Sequence, residues 1–382
     1  MEVSVIVVVV VVTALIFDFT NGFHDTANAM ATSIATGALR PKVAVAIAGL
    51  LNLAGAFVSV EVAKTISGGL VTEALITPVV IFAGLVGAIL WNLLTWLLGL
   101  PSSSSHALFG GLIGATLVGA GPSAVNGTAV LSKVLLPAVV SPVLAGLVAV
   151  SATFLAYRIT AKADGPTVRR GFRIGQVASA SMVALAHGTN DAQKTMGVIT
   201  LTLITAGALA PGSAPPFWVV LTAGLAIALG TYVGGWRIIR TLGRRVSDIQ
   251  TAQGFTAETT SATVILASSH LGLPISTTQV CTGAIFGAGA GRRLATVHWS
   301  VAGRMAVAWA VTLPAAAVVG AAASWTAASG PFGVVVVAVG GLALAAGIYA
   351  ASRRNPVNAV NVNNVVALPA PRTASRTDQE SA

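Results

Sequence analysis

The sequence predicts an all-α integral membrane protein built from two inverted repeats, with interrupted helices and two re-entrant helical hairpins. Composition, the placement of charge and a recurring pair of motifs carry that prediction. Of 382 residues, 55% are hydrophobic and 8% charged, with a mean hydropathy of +0.86. Soluble domains carry about 25% charged residues, so this chain would make a poor aqueous surface. Residues 74–132, 134–157, 195–236, 259–291 and 305–352 hold no charged side chain. A helix crosses a bilayer with about 20 apolar residues, so most of these stretches have room for one or two passes. The 41 glycines suit close helix approach in lipid, where the hydrophobic effect does not drive helices together. Cys281 stands alone, which excludes an internal disulfide and a cysteine metal site, and reads as a small packing residue. The chain opens Met1-Glu2 without a basic segment, so its first apolar run reads as a span rather than a cleaved signal.

Charge placement orients the spans. The net charge of +10 is concentrated in 158–173, 237–245, Arg292 with Arg293, and the tail positions Arg353, Arg354, Arg372 and Arg376. Such clusters mark cytoplasmic loops rather than a nucleic-acid surface. With these regions inside, 1–39 enters from an external N-terminus and 43–60 goes out. Residues 79–120 then form a hairpin turning at Pro101, and 134–157 returns. In the second half 174–205 goes out and 216–236 comes back. Residues 259–290 form a hairpin turning at Pro274, whose arms are short for two full spans, and 301–320 and 332–351 cross out and back. The expected organisation is a first repeat over 1–157 (a broken helix plus hairpin 79–120) and a basic cytoplasmic loop over 158–173. A second, inverted repeat follows over 174–320 (a broken helix plus hairpin 259–290), then a final transmembrane helix in 321–351 and a disordered cytoplasmic tail in 352–382. Trp91, Trp96, Trp218 and Trp236 read as interfacial anchors.

The repeat is visible in two motifs. Gly22-Phe23-His24-Asp25-Thr26-Ala27-Asn28-Ala29-Met30 parallels Gly188-Thr189-Asn190-Asp191-Ala192-Gln193-Lys194-Thr195-Met196, with Gly, Asp and Met at a constant offset of 166. Gly37-Ala38-Leu39 answers Gly207-Ala208-Leu209. Gly99-Leu100-Pro101-Ser102-Ser103 answers Gly272-Leu273-Pro274-Ile275-Ser276 at an offset of 173, as Gly110 and Gly114 answer Gly283 and Gly287. Inverted repeats with interrupted helices place a substrate near the midplane where the halves meet, so the plan is that of an inverted-repeat secondary transporter.

The residue types suggest what is held there. Ser102, Ser103, Ser104 and Ser105 follow Pro101, and Ser276, Thr277 and Thr278 follow Pro274. Both are helix-start patterns, setting hydroxyls beside unpaired amides that suit a tetrahedral oxyanion. An Asp at the centre of a membrane helix costs about 2.5–3.5 kcal/mol on insertion scales, which makes Asp25 and Asp191 functional candidates. A carboxylate repels an oxyanion, so their expected role is to hold a coupling cation or proton. Asn28 and Asn190 supply neutral oxygens to the same ion.

At these residues the chain resembles the PiT family of inorganic phosphate transporters. Asn21 to Ala29 is similar to the bacterial form of that family's first signature, and His187-Gly188-Thr189-Asn190-Asp191-Ala192-Gln193-Lys194 to its second. Gln253-Gly254-Phe255-Thr256-Ala257-Glu258 and Leu273-Pro274-Ile275-Ser276-Thr277-Thr278 fit as well. The resemblance runs from about residue 13 to 310. It implies H+- or Na+-coupled uptake of phosphate, alone or as a complex with a divalent metal, across the plasma membrane. The implied site combines both signatures, with Gln193 and Lys194 on the substrate side, and both hairpin tips. Where many members carry His after the second Ser-Thr-Thr this chain has Gln279, while the first hairpin keeps His106.

Several residues keep two readings. The hydroxyl runs serve either as caps or as anion ligands, and Lys194 either pairs with Asp191 or reaches the anion. A purely structural hydrogen-bonding role for Asp25 and Asp191 is the lesser reading, because both are repeated; His24 and His187 either pack or relay protons, and Glu258 either faces water or lines an ion path. Competing functions are a sulfate permease of the same fold and a membrane-embedded lipid-phosphate hydrolase. The hydrolase lacks a convincing nucleophile–base pair, and the absence of a Walker A motif argues against ATP drive. No metal site or bound cofactor is expected beyond the coupling cation, the bilayer is the expected surrounding, and a homo-oligomer is left open.

Overall fold

The computed structural model describes residues 4–246, 248–292 and 297–364. The first half comprises α1 (Val5–Ala35), α2 (Pro41–Gly55), α3 (Glu61–Gly69), α4 (Pro78–Leu98), α5 (Ser104–Gly119), α6 (Gly127–Val130) and α7 (Leu136–Thr160). A π-turn over Leu131–Leu135 joins α6 to α7. The second comprises α8 (Gly165–Thr205), α9 (Phe217–Val233), α10 (Trp236–Arg244), α11 (Thr251–His270), α12 (Thr277–Arg292) and α13 (Trp299–Ala327), and α14 (Pro331–Ser352) closes the chain. Among the described residues the only β pairing is one antiparallel bridge between Val71 and Val125. Among the described residues five helical runs are long and apolar enough to cross a membrane, or six if α9 and α10, bent by 67°, count as one span.

Every major contact in one half has a partner in the other. α5 packs on α13 as α12 packs on α7, and α1 lies against α9 as α8 lies against α2. α1 also meets α10 as α8 meets α3, while α1 and α8 meet each other. The repeated glycines make these contacts. A Cβ on Gly114 would fall 2.0 Å from the Ala317 carbonyl oxygen, and one on Gly287 2.1 Å from that of Gly146. Gly22 and Gly188 lie equally tight against Ile227 and Asn52. Backbones therefore touch where these glycines sit, the small-residue packing that lipid favours. The outer faces are apolar: Val139, Leu147 and Phe154 of α7 and Val339, Leu342 and Leu344 of α14 are exposed.

Four expectations are sharpened by the structure. First, the position of the broken helix in each repeat was left open by the sequence, and it is not on the helices bearing the aspartates, since α1 and α8 run unbroken through Asp25 and Asp191. Neither helix carries a proline at those positions, and neighbouring helices satisfy the polar side chains sideways, so the backbone ladder has no cause to open. The breaks instead fall between α2 and α3 and between α9 and α10. Second, the basic stretch 158–173 is mostly helical. α7 ends at Thr160 and α8 starts at Gly165, where the Asp164 carboxylate accepts from the Thr167 amide at 3.1 Å. Third, α13 runs past the expected end at 320 to Ala327, while the last helix, Pro331–Ser352, falls where 332–351 was expected to cross. Fourth, 353–364 is not free chain. Arg237 donates to the Ser352 and Asn355 carbonyls at 2.8 and 2.6 Å, Arg240 donates to that of Asn361 at 2.7 Å, and Val362 is buried. Residues 365–382 of the expected disordered tail lie outside the described residues.

The hairpins are α4–α5 and α11–α12. Their first arms, 21 and 20 residues, are long enough to span about 30 Å, and their second arms, 16 residues each, reach about 24 Å. The two turns match bond for bond. Leu100 donates to Thr95 as Leu273 donates to Ser268, both at 2.9 Å, closing the first arm. Gly99 and Gly272 take φ of +65° and +66° to allow it, a left-handed conformation that costs other residues about 1–2 kcal/mol.

Candidate functional site

α1 and α8 pack against each other, and the tips of both hairpins reach the aspartates they carry. All thirteen residues expected at the site are buried, none more than 4% exposed. Ser103 starts α5, its side chain accepting from the His106 amide at 3.1 Å, and Ser276 accepts from Gln279 in the same way at 3.3 Å. These two hydroxyls are the caps. The next two on each tip are free to reach inward.

Ser104 donates to Asp25 Oδ2 at 2.7 Å, and its repeat partner Thr277 to Asp191 Oδ2 at 3.3 Å. Lys194 Nζ donates to Ser105 at 2.6 Å, while Asn28, at the equivalent place on α1, donates to Thr278 at 3.0 Å and lies 3.4 Å from Thr277. Thr278 also reaches Asp25 Oδ2 at 3.4 Å. The symmetry is thus kept in geometry and broken in charge, with a lysine opposite an asparagine. Lys194 also donates to Asp191 Oδ1 at 2.5 Å and to the Ile275 carbonyl at 3.0 Å, which ties α8 to the second tip. Ser105 reaches the same carbonyl at 3.4 Å, so the two tips touch.

The carboxylates are balanced differently. Asp191 has Lys194, with His187 Nε2 at 3.3 Å and the Asn21 amide at 3.4 Å. Asp25 has no lysine. His24 Nδ1 lies 2.5 Å from its Oδ1, and the other His24 nitrogen lies 3.3 Å from both Thr95 and Ser102. Ser102 itself donates to Thr95 at 2.8 Å and supports this imidazole. Ligand atoms of Asp25, His187 and Asp191 all fall within 4.8 Å of one another. Two carboxylates against one lysine leave the cluster able to accept a cation, and the buried Asn28 and Asn190 side-chain carbonyls, without hydrogen-bond partners, are suited to share it.

Two expected residues act elsewhere or in part. Gln193 accepts from the Val62 and Ala63 amides at 2.7 and 3.2 Å and so holds the start of α3. Its amide is spent on backbone, which removes it from the converging set. Asn190 donates to Ser269 at 2.9 Å and stays at the second tip. Glu258 is buried, accepting from Thr32, Gln176 and Ser179 at 2.5, 3.2 and 2.6 Å, so the water-facing reading is excluded. Trp91 and Trp96, expected as interfacial anchors, are half-buried. Trp91 donates to Thr312 at 3.1 Å, and Trp96 packs edge-on against Phe23 with Arg237 over its ring. Sequence reasoning missed Asp18 and Thr95. The signal for Asp18 was spacing, since Asp18, Asn21, Asp25, Asn28 and Thr32 fall on one face of a helix.

Unbroken crossing helices, paired hairpins and a buried polar centre define a class, the inverted-repeat helical membrane transporter. Comparison with known proteins is more specific. Residues 21–320 match the phosphate transporter family. The chain is 56% identical over 369 residues to a Mycobacterium bovis protein named "Probable low-affinity inorganic phosphate transporter", covering 94% of this chain and 87% of that one. A Bacillus subtilis protein of the same name is 40% identical over 321 residues, covering 84% and 96%. A solved structure, "The sodium-dependent phosphate transporter", superposes with a TM-score of 0.76 at 26% identity, covering 84% of this chain and 98% of that one. The chain belongs to the phosphate transporter family, whose members here are transporters rather than enzymes.

Proposed function

We propose that this protein imports inorganic phosphate across the plasma membrane by alternating access, as a symporter driven by a Na+ or H+ gradient. The observation that carries this reading is the sharing of hydroxyls. Ser104, Thr277 and Thr278 donate to Asp25 or Asp191, yet they sit at helix starts suited to an oxyanion. One hydroxyl hydrogen serves one acceptor at a time. A cation or proton that neutralises the carboxylates releases these donors to the phosphate, which links the two binding events. Ser102, Ser105 and Lys194 complete the anion side, and Asp25, Asp191, Asn28 and Asn190 the cation side. A neutral complex of phosphate with a divalent metal would satisfy both sides at once and is a second form of the same cargo.

In this reading the hairpins are re-entrant, the N-terminus lies outside, and the basic ends of α7, α8 and α10 lie in the cytoplasm. The test is uptake of labelled phosphate by purified protein in proteoliposomes under separate Na+, pH and divalent-metal gradients, with sulfate as competitor. Accumulation against a gradient, blocked by excess phosphate and not by sulfate, is the expected result. Absence of accumulation under every gradient refutes the symporter.

A further inference from the structure

Away from the central site, the chain after α14 closes over a basic cavity of about 480 Å³ at the end of α4. Arg237, Arg240 and Arg245 all line it, and no acidic side chain does. Arg237 and Arg245 each lie near enough to bear on the charge of Arg240. Among the described residues none of the three guanidiniums takes part in an ion pair. The covering segment 353–364 adds Arg353 and Arg354 and no acid. Every bond these arginines make is to a neutral acceptor. Arg237 donates to the Ser352 and Asn355 carbonyls and lies over the Trp96 ring, and Arg240 donates through one terminal nitrogen to both oxygens of Asn361.

Donors are left over. Arg240 Nε is buried without a hydrogen-bond partner. Among the described residues Arg245 is bonded only through its backbone, to Thr241 and His298. Buried donors are almost always paired, and guanidinium forks match the oxygens of a phosphoryl group. A second opening indicates which kind of phosphoryl compound. Leu98 lines the basic cavity and also a groove of about 510 Å³ between α4 and α13. Leu94, Leu98, Val307 and Val311 along that groove are apolar and exposed, and Arg304 is its one charged lining residue. Basic pockets at the ends of membrane helices suit anionic lipid headgroups. Here a basic cavity and an apolar groove meet at one residue, as headgroup and acyl chain meet at the glycerol of a phospholipid.

We propose that this cavity binds the headgroup of one anionic phospholipid, with an acyl chain lying in the α4–α13 groove. The phosphodiester accepts from Arg240 Nε and from Arg245, and the lipid joins α4, α10, α13 and segment 353–364. The experiment titrates purified full-length protein, stripped of lipid in detergent, with dioleoyl-phosphatidylglycerol and counts bound lipid by native mass spectrometry. Dioleoyl-phosphatidylcholine is the comparison. One phosphatidylglycerol is expected to stay on the wild type under conditions that remove phosphatidylcholine. Arg245→Gln is expected to weaken the phosphatidylglycerol affinity about fivefold, the worth of one arginine at an anionic surface. Val307→Trp, which fills the groove and leaves the arginines in place, is expected to weaken it as well. Equal retention of the two lipids overturns the proposal, as does wild-type affinity in Arg245→Gln. Displacement of the lipid by an equal concentration of sn-glycerol 3-phosphate also overturns it, since the ligand is then a free phosphate ester. If Arg245→Gln does not fold, wild-type affinity in Val307→Trp overturns it.

Discussion

Asp25 and Asp191 occupy equivalent places in the two halves, yet they depend on their neighbours differently. Asp191 shares a buried ion pair with Lys194, whereas Asp25 is held by His24 and by hydroxyls. Removing one member of a buried pair leaves the other charge unpaired at a cost of about 3–5 kcal/mol, while removing both is often close to neutral. Asp191→Asn is therefore expected to lower the melting temperature in detergent more than Asp25→Asn does. The double variant Asp191→Asn with Lys194→Met is expected to regain part of the loss. Thermal unfolding of the four proteins checks this, and equal melting of the two single variants contradicts it. The same residues show what sequence leaves open. The offset of 166 identified both aspartates, and it also set Lys194 opposite Asn28. Which partner Lys194 takes depends on the distance to Ser105 and Ile275, two residues far away in sequence.

Among the elements, α3 shows how a signature residue can serve the scaffold. Gln193 sits in the second signature, but its side-chain oxygen holds two amides at the start of α3. Those amides have no acceptor within their own helix, and leaving buried donors unpaired costs about 1–3 kcal/mol each. Gln193→Ala is expected to speed amide exchange across Glu61–Gly69 and lower stability by about 2–6 kcal/mol, with the KM for phosphate unchanged. Exchange measured by mass spectrometry alongside uptake kinetics distinguishes this from a ligand role, which would raise KM. The hairpins were more legible. Gly99, Pro101 and Ser103, with Gly272, Pro274 and Ser276, encode their turns locally, through a left-handed glycine, a proline that stops continuation and a capping hydroxyl. The position of the break in each repeat was not legible, because no proline marks the connections 56–60 and 234–235.

At the scale of the molecule, the chain after α14 folds back over α10. Arg237 and Arg240 hold 352–361 through backbone carbonyls, and Asn363 lies 3.4 Å from the Ile34 carbonyl at the end of α1. The strap thereby connects the last helix to the end of the helix that bears Asp25. Arg240→Ala removes the bonds to Asn361 and is expected to speed amide exchange in 355–364 by at least about tenfold, leaving α11 and α12 protected. Unchanged exchange would show that Arg237, the contacts of Asn363 with Arg244 and Ile34, and the burial of Val362 hold the strap without Arg240.

The sequence by itself determined the membrane class, the two halves, the hairpin turns and the pair of aspartates. Each of these is written in local chemistry or in repetition: charge-free runs, glycine and proline at turns, and motifs at a fixed offset. Only the tertiary structure decided which hydroxyls cap and which reach the carboxylates, that Gln193 belongs to α3, and that Glu258 is buried. Those outcomes depend on which side chains meet across helix interfaces, and that is fixed by the close approach of α1 to α8 and of each hairpin to the opposite half.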